Sequence, residues 1–166
     1  MDNTNRSEKN IWEILHQIPD PEIPVIDIVE LGVIRKVKII DTLSIEISIT
    51  PTYSGCPAMK QMEDDIRMKL SHAGFSEIKI NTVYNPPWTT DWISEEAKMK
   101  LNDYGIAPPE HSSLDKATLL GKERKVKCPR CNSTSTQLIS QFGSTACKAL
   151  YKCSDCLEPF DYFKCI

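Results

Sequence analysis

The sequence lacks any long hydrophobic run. No stretch approaches the roughly 20 consecutive apolar residues that span a bilayer. Residues 1–10 are polar where a signal peptide has its apolar core. We therefore expect a cytoplasmic protein without a membrane partner, in a compartment that keeps thiols reduced. In that compartment the seven cysteines are expected to be thiols or metal ligands, because a disulfide framework would not persist there.

The sequence signatures of several enzyme classes are also missing. The chain contains no P-loop and no glycine-rich dinucleotide motif. Its histidines, His16, His72 and His111, form no H-E-x-x-H pattern, and no Ser-His-Asp order is present. The sequence therefore assigns no catalytic residue.

Charge is distributed unevenly along the chain. The formal net charge of -3 argues against a dedicated nucleic-acid binder, and the aromatic residues are interleaved with acidic ones. Residues 1–121 carry 12 Lys and Arg against 19 Asp and Glu, a net charge of -7. Residues 122–166 carry 8 against 4, a net charge of +4. This asymmetry indicates two modules of different character.

Two kinds of hydrophobic period describe the first module. Residues 43–50 alternate apolar and polar side chains, which is typical of a half-buried antiparallel strand, and a hairpin at Asp41-Thr42 precedes it. Residues 57–74 have apolar side chains three and four apart, which predicts a helix. A helix capped by Ser7, a third strand near residues 77–84 and a helix capped by Ser94 complete the order. We predict an α+β fold over residues 1–107, in which a small, largely antiparallel sheet carries helices on one face.

Four cysteines in the tail form two C-x2-C pairs, Cys128 with Cys131 and Cys153 with Cys156. Two intervening residues let one tight turn aim both sulfurs at the same ion, and two such turns complete a tetrahedron with zinc–sulfur distances of about 2.3 Å. A module this small buries too little apolar surface to fold alone, so metal binding supplies folding free energy. We predict a structural zinc ribbon over residues 126–166, after a linker at residues 108–125.

Other uses of these cysteines stay open from the sequence. Thiolates also accept iron in a rubredoxin-like site or an iron-sulfur cluster, and two separate C-x2-C pairs can act as redox centres. Cys147 and Cys165 have no partner at chelating spacing, so we interpret them as packed or free thiols.

Cys56 stands alone where a strand gives way to a helix. With Pro57 as the first helical residue, Cys56 would be the N-cap, where the helix dipole and free N–H groups stabilise a thiolate. Free cysteine is also among the most buried residue types, so a reactive and an inert thiol are equally compatible with this position. Asp20 and Glu22 form a D-P-E turn, for which a solvated turn is the ordinary explanation.

These motifs together resemble a known family. The segments DPEIPVIDIVELGVI and ITPTYSGCPAMKQMEDDI resemble the SufT-like domain associated with iron-sulfur cluster assembly. The later segments NPPWTTDWISEEAKMKLNDYGIAPP, FGSTACKALYKC and EPFDYFKC are similar to the PaaD branch, the small subunit encoded with the phenylacetyl-CoA oxygenase. The resemblance implies an accessory protein and not an enzyme. Such a protein helps to assemble or insert the iron-sulfur cluster of the oxygenase system, whose reductase subunit carries a ferredoxin-type cluster.

The same resemblance implies a site, its cofactors and its partners. Cys56 becomes the candidate ligand for iron or a transferred iron-sulfur cluster, supported by Asp20, Glu22 and Thr50. The expected cofactors are structural zinc and a transient cluster or iron. The expected partners are the oxygenase and reductase subunits, and a homodimer is considered, whereas nucleic acid is not expected.

Two other functions stay open. The chain could be a structural zinc-ribbon adaptor subunit of the oxygenase, with no metal-transfer chemistry. It could also be a thiol-disulfide oxidoreductase, which requires the C-x2-C pairs to be free of metal in the reduced protein.

Overall fold

The computed structural model describes residues 7–53, 55–109 and 125–164. The chain divides into two compact units, Met1–Trp88 and Thr89–Ile166. Most of the predicted linker, residues 110–124, lies outside the described residues. None of the described helices combines the length and the apolar character needed to cross a membrane.

The first unit contains a three-stranded sheet and two α-helices among the described residues. In chain order the elements are α1 (Glu8–Leu15), β1 (Ile34–Ile39), β2 (Ser44–Ile49), α2 (Ala58–His72) and β3 (Glu77–Thr82). The helices contact each other, α1 packs against β1, and α2 packs against β3.

The sheet of this unit is mixed in direction. Its order is β1-β2-β3, with β1 antiparallel to β2 and β2 parallel to β3. The α+β class is confirmed, but only one of the two strand pairs is antiparallel. The reason is the helical connection: α2 returns the chain along the sheet, so that β3 starts beside Ser44, the first residue of β2.

Local sequence signals explain most element boundaries. Ser7 caps α1 by accepting a hydrogen bond from the Asn10 N–H at 3.3 Å, and Gly74, with φ of +94°, follows the end of α2. Within β2 the alternation is confirmed, since Ile45, Ile47 and Ile49 are all buried. Leu43 is different: it is 50% exposed because it lies in the hairpin turn before the strand begins.

The second unit joins a helix to a four-stranded sheet. The elements are a 3₁₀ turn (Thr90–Trp92), α3 (Glu95–Tyr104), β4 (Ile106–Ala107), β5 (Thr136–Ser140), β6 (Lys148–Cys153) and β7 (Pro159–Phe163). The sheet order is β4-β7-β6-β5, and β4 pairs in parallel with β7 through Ile106 opposite Asp161. Because β4 directly follows α3, this pairing places α3 in the second unit, whereas the sequence grouped α3 with residues 1–107.

The core of this second sheet contains two of the predicted metal ligands. Cys128 and Cys153 are fully buried in one apolar cluster, and Ala107 of β4 belongs to the same cluster. The metal site and the docking of β4 therefore depend on the same packed core. The other members of the cluster are Val126, Ala149, Tyr151, Phe160 and Tyr162.

Asp41 closes the hairpin between β1 and β2. Its Oδ1 accepts hydrogen bonds from the N–H groups of Leu43 and Ser44, each at 2.8 Å. The Leu43 hydrogen bond lowers the pKa of the Asp41 carboxyl, and bonds to Ser44 add to the effect. A lowered pKa in the folded state means that the ionised carboxylate stabilises the fold above the unfolded pKa, and that this stability is lost as the pH falls through the folded value.

We therefore expect Asp41→Ala to lower the melting temperature at pH 7. The difference from the wild type should shrink below roughly pH 4, where the carboxyl takes up its proton. Asp41→Asn keeps an acceptor oxygen without the charge and serves as the control: its stability at pH 7 should lie between those of the wild type and Asp41→Ala, and its difference from the wild type should also shrink at low pH. Thermal unfolding followed by circular dichroism at pH 7 and pH 3 measures both effects; an Asp41→Ala deficit of equal size at the two pH values would contradict the assignment.

Candidate functional site

Two turns of the same geometry carry the tail cysteines. The Cys128 N–H donates to the Ser133 carbonyl at 2.8 Å, and the Cys153 N–H donates to the Glu158 carbonyl at 3.0 Å, so each turn is closed five residues after its first cysteine. The residue before each closing position has a left-handed backbone: Asn132 with φ of 63° and Leu157 with φ of 64°. The C-x2-C spacing thus corresponds to a repeated knuckle that turns both of its sulfurs the same way.

Sequence reasoning missed the two left-handed residues. Asparagine after the second cysteine is a recognisable signal, because Asn enters the left-handed region more readily than most residues. Leu157 carries no such signal, and a leucine at positive φ is strained. The strain persists because the hydrogen bonds of the knuckle fix this backbone conformation. The Leu157 side chain itself is 66% exposed.

The four sulfurs form one compact group. All four lie within 4.8 Å of one another, with Cys128 Sγ 3.8 Å from Cys156 Sγ and Cys131 Sγ 3.5 Å from Cys153 Sγ. A tetrahedral zinc site with metal–sulfur bonds of about 2.3 Å places its sulfurs about 3.8 Å apart. The donor set and its spacing therefore fit a tetrathiolate metal site, and zinc is the ion that such a closed site ordinarily takes.

Thiols this close do not all ionise without a cation among them. The Ser133 N–H lowers the pKa of Cys131, but burial and the neighbouring thiols together raise it to about 12. The N–H of Cys156, with that of Asp155, lowers the pKa of Cys153 to about 7. Cys153 is therefore the thiol of this pair that ionises more readily. The thiolate is the form in which cysteine binds a metal.

Cys56 lies half-buried at the junction between β2 and α2. The N-cap of α2 is Pro57, so Cys56 is the residue before the cap and not the N-cap itself. The Cys56 N–H donates to the Tyr53 carbonyl at 3.3 Å, and its carbonyl accepts from the Met59 N–H at 3.3 Å. Gly55 enables this turn through its φ of +81°.

Asp20 has a defined structural task in its turn. It is buried, with 4% exposure, and its Oδ1 accepts hydrogen bonds from the N–H of Glu22 at 2.9 Å and of Ile23 at 2.6 Å. The solvated turn suggested by the residues alone is therefore wrong for Asp20, because its carboxylate replaces water as the acceptor for these two N–H groups. Glu22 is half-buried.

Thr50 directly follows β2 and is 1% exposed. Its N–H donates to the Val33 carbonyl at 2.9 Å. Its Oγ1 is buried and has no hydrogen-bond partner within the described residues. An unsatisfied buried hydroxyl costs free energy, so a threonine at this buried position indicates a structural or functional role for the hydroxyl.

The described residues contain one set of three or more His, Cys, Asp or Glu ligand atoms close enough to share an ion, and it is the four tail cysteines. Cys56, Asp20 and Glu22 form no second set of this kind. The assignment of Cys56, Asp20, Glu22 and Thr50 to iron or a cluster stays a prediction.

Family comparisons cover both units. Residues 112–164 match the family described as PaaD zinc beta ribbon domain, and residues 8–79 match the family described as iron-sulfur cluster assembly protein. The chain is 50% identical over 156 residues to a putative 1,2-phenylacetyl-CoA epoxidase subunit of Escherichia coli K12, and the match covers 94% of this chain and 92% of that protein. The chain belongs to the PaaD family. The family resemblance inferred from the motifs is thereby confirmed.

The first part of this PaaD-family chain has further relatives. It is 35% identical over 97 residues to an Fe-S protein maturation auxiliary factor of Porphyromonas gingivalis, covering 58% of this chain and 91% of that protein. A crystal structure of the domain of unknown function DUF59 from Bacillus anthracis superposes with a TM-score of 0.53 at 34% identity, covering 57% of this chain and 90% of that one. The PaaD-family chain thus combines a DUF59-type fold with a zinc ribbon.

Proposed function

We propose that this protein is an accessory maturation factor of the phenylacetyl-CoA epoxidase system in phenylacetate catabolism. It assists the assembly of an iron-sulfur cluster or its insertion into the reductase subunit, and it catalyses no step of the epoxidation. The proposal places the protein in the cytoplasm, where its thiols stay reduced.

The observation that carries the proposal is the fusion of two modules in one chain. The first module is 35% identical to a relative named as an Fe-S protein maturation auxiliary factor, and its fold matches a DUF59 domain. The whole chain is 50% identical to a relative named as a putative epoxidase subunit. The chain therefore joins a maturation-type module to the ribbon of the epoxidase-subunit family. Such a fusion is expected of a maturation factor that serves one client protein.

In this proposal Cys56 is the contact for the transferred cluster or iron. Its thiol is half-buried, so an incoming cluster has access to it, and it lies just before the N-terminus of α2. A single thiolate suits transfer, because a permanently bound cluster normally takes four protein ligands. Three further residues support this contact in the proposal: Thr50, whose buried hydroxyl has no hydrogen-bond partner in the described residues, Asp20 and Glu22. The four tail cysteines hold structural zinc.

Replacement of Cys56 by Ser tests the proposal. We expect the iron and sulfide content of the co-expressed reductase subunit to fall severalfold, because the oxygen of serine binds iron more weakly than a thiolate does. Cys147→Ser is the matched control, since Cys147 is a buried thiol outside the four-cysteine set. Full reductase loading with Cys56→Ser, at normal zinc content of the variant, would refute the transfer role.

A structural adaptor is the second candidate function. It is favoured by the absence of a second set of three ligand atoms around Cys56 in the described parts of the chain. An adaptor would purify as a stable complex with the oxygenase subunits, and Cys56→Ser would leave both that complex and the reductase cluster unchanged.

A further inference from the structure

Strand β5 forms an open edge of the second unit's sheet. It hydrogen bonds to β6 in antiparallel register, and in the described residues no strand pairs with its other side. The backbone groups along such an edge are available to another strand. The one irregularity is a shift of register between Leu138 and Ser140.

The segment around β5 is uncharged and exposes three large apolar side chains. From Asn132 to Ala146 there is no charged residue and no proline, in a chain of which 26% is charged. Leu138 is 43% exposed, Ile139 is 55% exposed and Phe142 is 67% exposed. Natural proteins protect open edges with charged residues, proline or bulges, and of these devices β5 has only its register shift. An uncharged β-forming segment at an open edge favours pairing with another strand. This edge is therefore a candidate surface for binding a partner strand.

The charges beside β5 indicate what kind of strand fits. Lys152 is exposed and lies opposite Gln137 at one end of the strand. At the other end, Lys164 Nζ lies 4.2 Å from the centre of the Phe142 ring and donates to the Gln141 carbonyl. The nearby carboxylate of Asp155 accepts a hydrogen bond from the Ser133 hydroxyl, so one of its oxygens already has a partner within the chain.

These charges favour a partner protein over a second copy of the chain. A second copy paired through β5 would bring a strand that carries no carboxylate of its own, so nothing on that strand would pair with Lys152 or Lys164. A strand that alternates apolar and acidic residues would cover the exposed apolar side chains and meet both ammonium groups.

We propose that β5 is the docking edge for an extended segment of the reductase subunit that alternates apolar and acidic residues and adds to the ribbon as a fifth strand. The inference rests on the proposed function for its partner, but it does not depend on any chemistry at Cys56. Main-chain hydrogen bonds supply affinity in this mode, and alternate side chains supply specificity.

Binding of the purified reductase subunit to the full-length chain tests the proposal, and the oxygenase subunits are measured alongside it for comparison. Ile139→Lys places a charge on the edge at an exposed position, and we expect it to weaken binding by about tenfold or more. Met99→Lys is the matched control, since Met99 is 61% exposed on α3 of the same unit. Lys152→Glu should also weaken binding, mainly through slower association. Zinc content is measured for every variant to show that the ribbon is intact.

Amide hydrogen exchange supplies the second measurement. On binding, the amides of residues 136–140 should exchange more slowly, while those of α3 change little. The proposal is overturned if the reductase subunit does not bind, whether or not an oxygenase subunit does. It is also overturned if Ile139→Lys binds like the wild type, or if these amides are already protected in the free protein. Cys56→Ser should leave the affinity unchanged, so loss of docking and loss of cluster transfer can be told apart.

Discussion

Removal of the metal from the four-cysteine site is expected to unfold the second unit and leave the first unit folded. Cys128 and Cys153 are ligands and core residues at once, because both are buried in the apolar cluster of the second sheet. Metal binding free energy in small zinc modules is on the order of 10 kcal/mol, which exceeds what so small a core supplies without metal. The four thiols alone repel one another once ionised, so the metal-free state gains no compensating interaction.

Helix α3 is expected to unfold together with the metal site. The sequence grouped α3 with residues 1–107, which would leave it folded after metal removal. In the structure α3 leads into β4, β4 pairs with β7, and Ala107 lies in the same core as two ligands. We therefore expect the amides of α3 to lose protection together with those of β6 and β7.

Two-dimensional NMR with and without a chelator measures the effect residue by residue. Cys153→Ser should reproduce the chelator's effect, whereas Cys147→Ser should keep the resonances of residues 125–164 dispersed, because Cys147 is not a ligand. Re-addition of zinc should restore the chelated wild type but not Cys153→Ser. Dispersed resonances for residues 125–164 in protein proven free of metal would show that the metal does not hold this fold.

Replacement of Asp20 by Ala is expected to destabilise the first unit by about 1–3 kcal/mol, the cost of leaving buried hydrogen-bonding groups unsatisfied. The Asp20 carboxylate accepts from the N–H groups of Glu22 and Ile23, and the side chain is 4% exposed, so water does not readily replace it. Asp20→Asn retains an oxygen acceptor at the same place and should keep most of the stability.

The pair of variants also separates two roles for Asp20. Urea unfolding, followed by the NMR resonances of residues 7–53, measures the stability of the first unit. If Asp20 only shapes the turn, Asp20→Asn should support normal cluster content in the co-expressed reductase. If its negative charge also holds iron, Asp20→Asn should reduce that content at near-normal stability. Equal stability of Asp20→Ala and the wild type would refute the structural role.

The candidate sites differ in how far sequence could predict them. The four tail cysteines were predictable because chelation imposes a fixed spacing that is visible along the chain. For Cys56 the position at a strand–helix junction was predictable from the two periods, but its role depends on family resemblance. The buried turn of Asp20 and the unsatisfied hydroxyl of Thr50 were not visible, since burial depends on the elements that pack over a residue.

The sequence by itself determined the local features of this protein. Ser7 and Ser94 begin helices, the alternation through residues 44–49 makes a one-sided strand, and two C-x2-C turns gather four sulfurs. Each of these depends on interactions between residues close together in the chain, or on a single ion that selects its own ligands.

Only the tertiary structure decided which distant segments meet. It set the parallel direction of β3 and the pairing of β4 with β7. These features follow from packing between segments far apart in the chain, for which no short pattern exists. The open edge at β5 belongs to both levels, because its lack of charge is written in the sequence but its unpaired side is a property of the folded sheet.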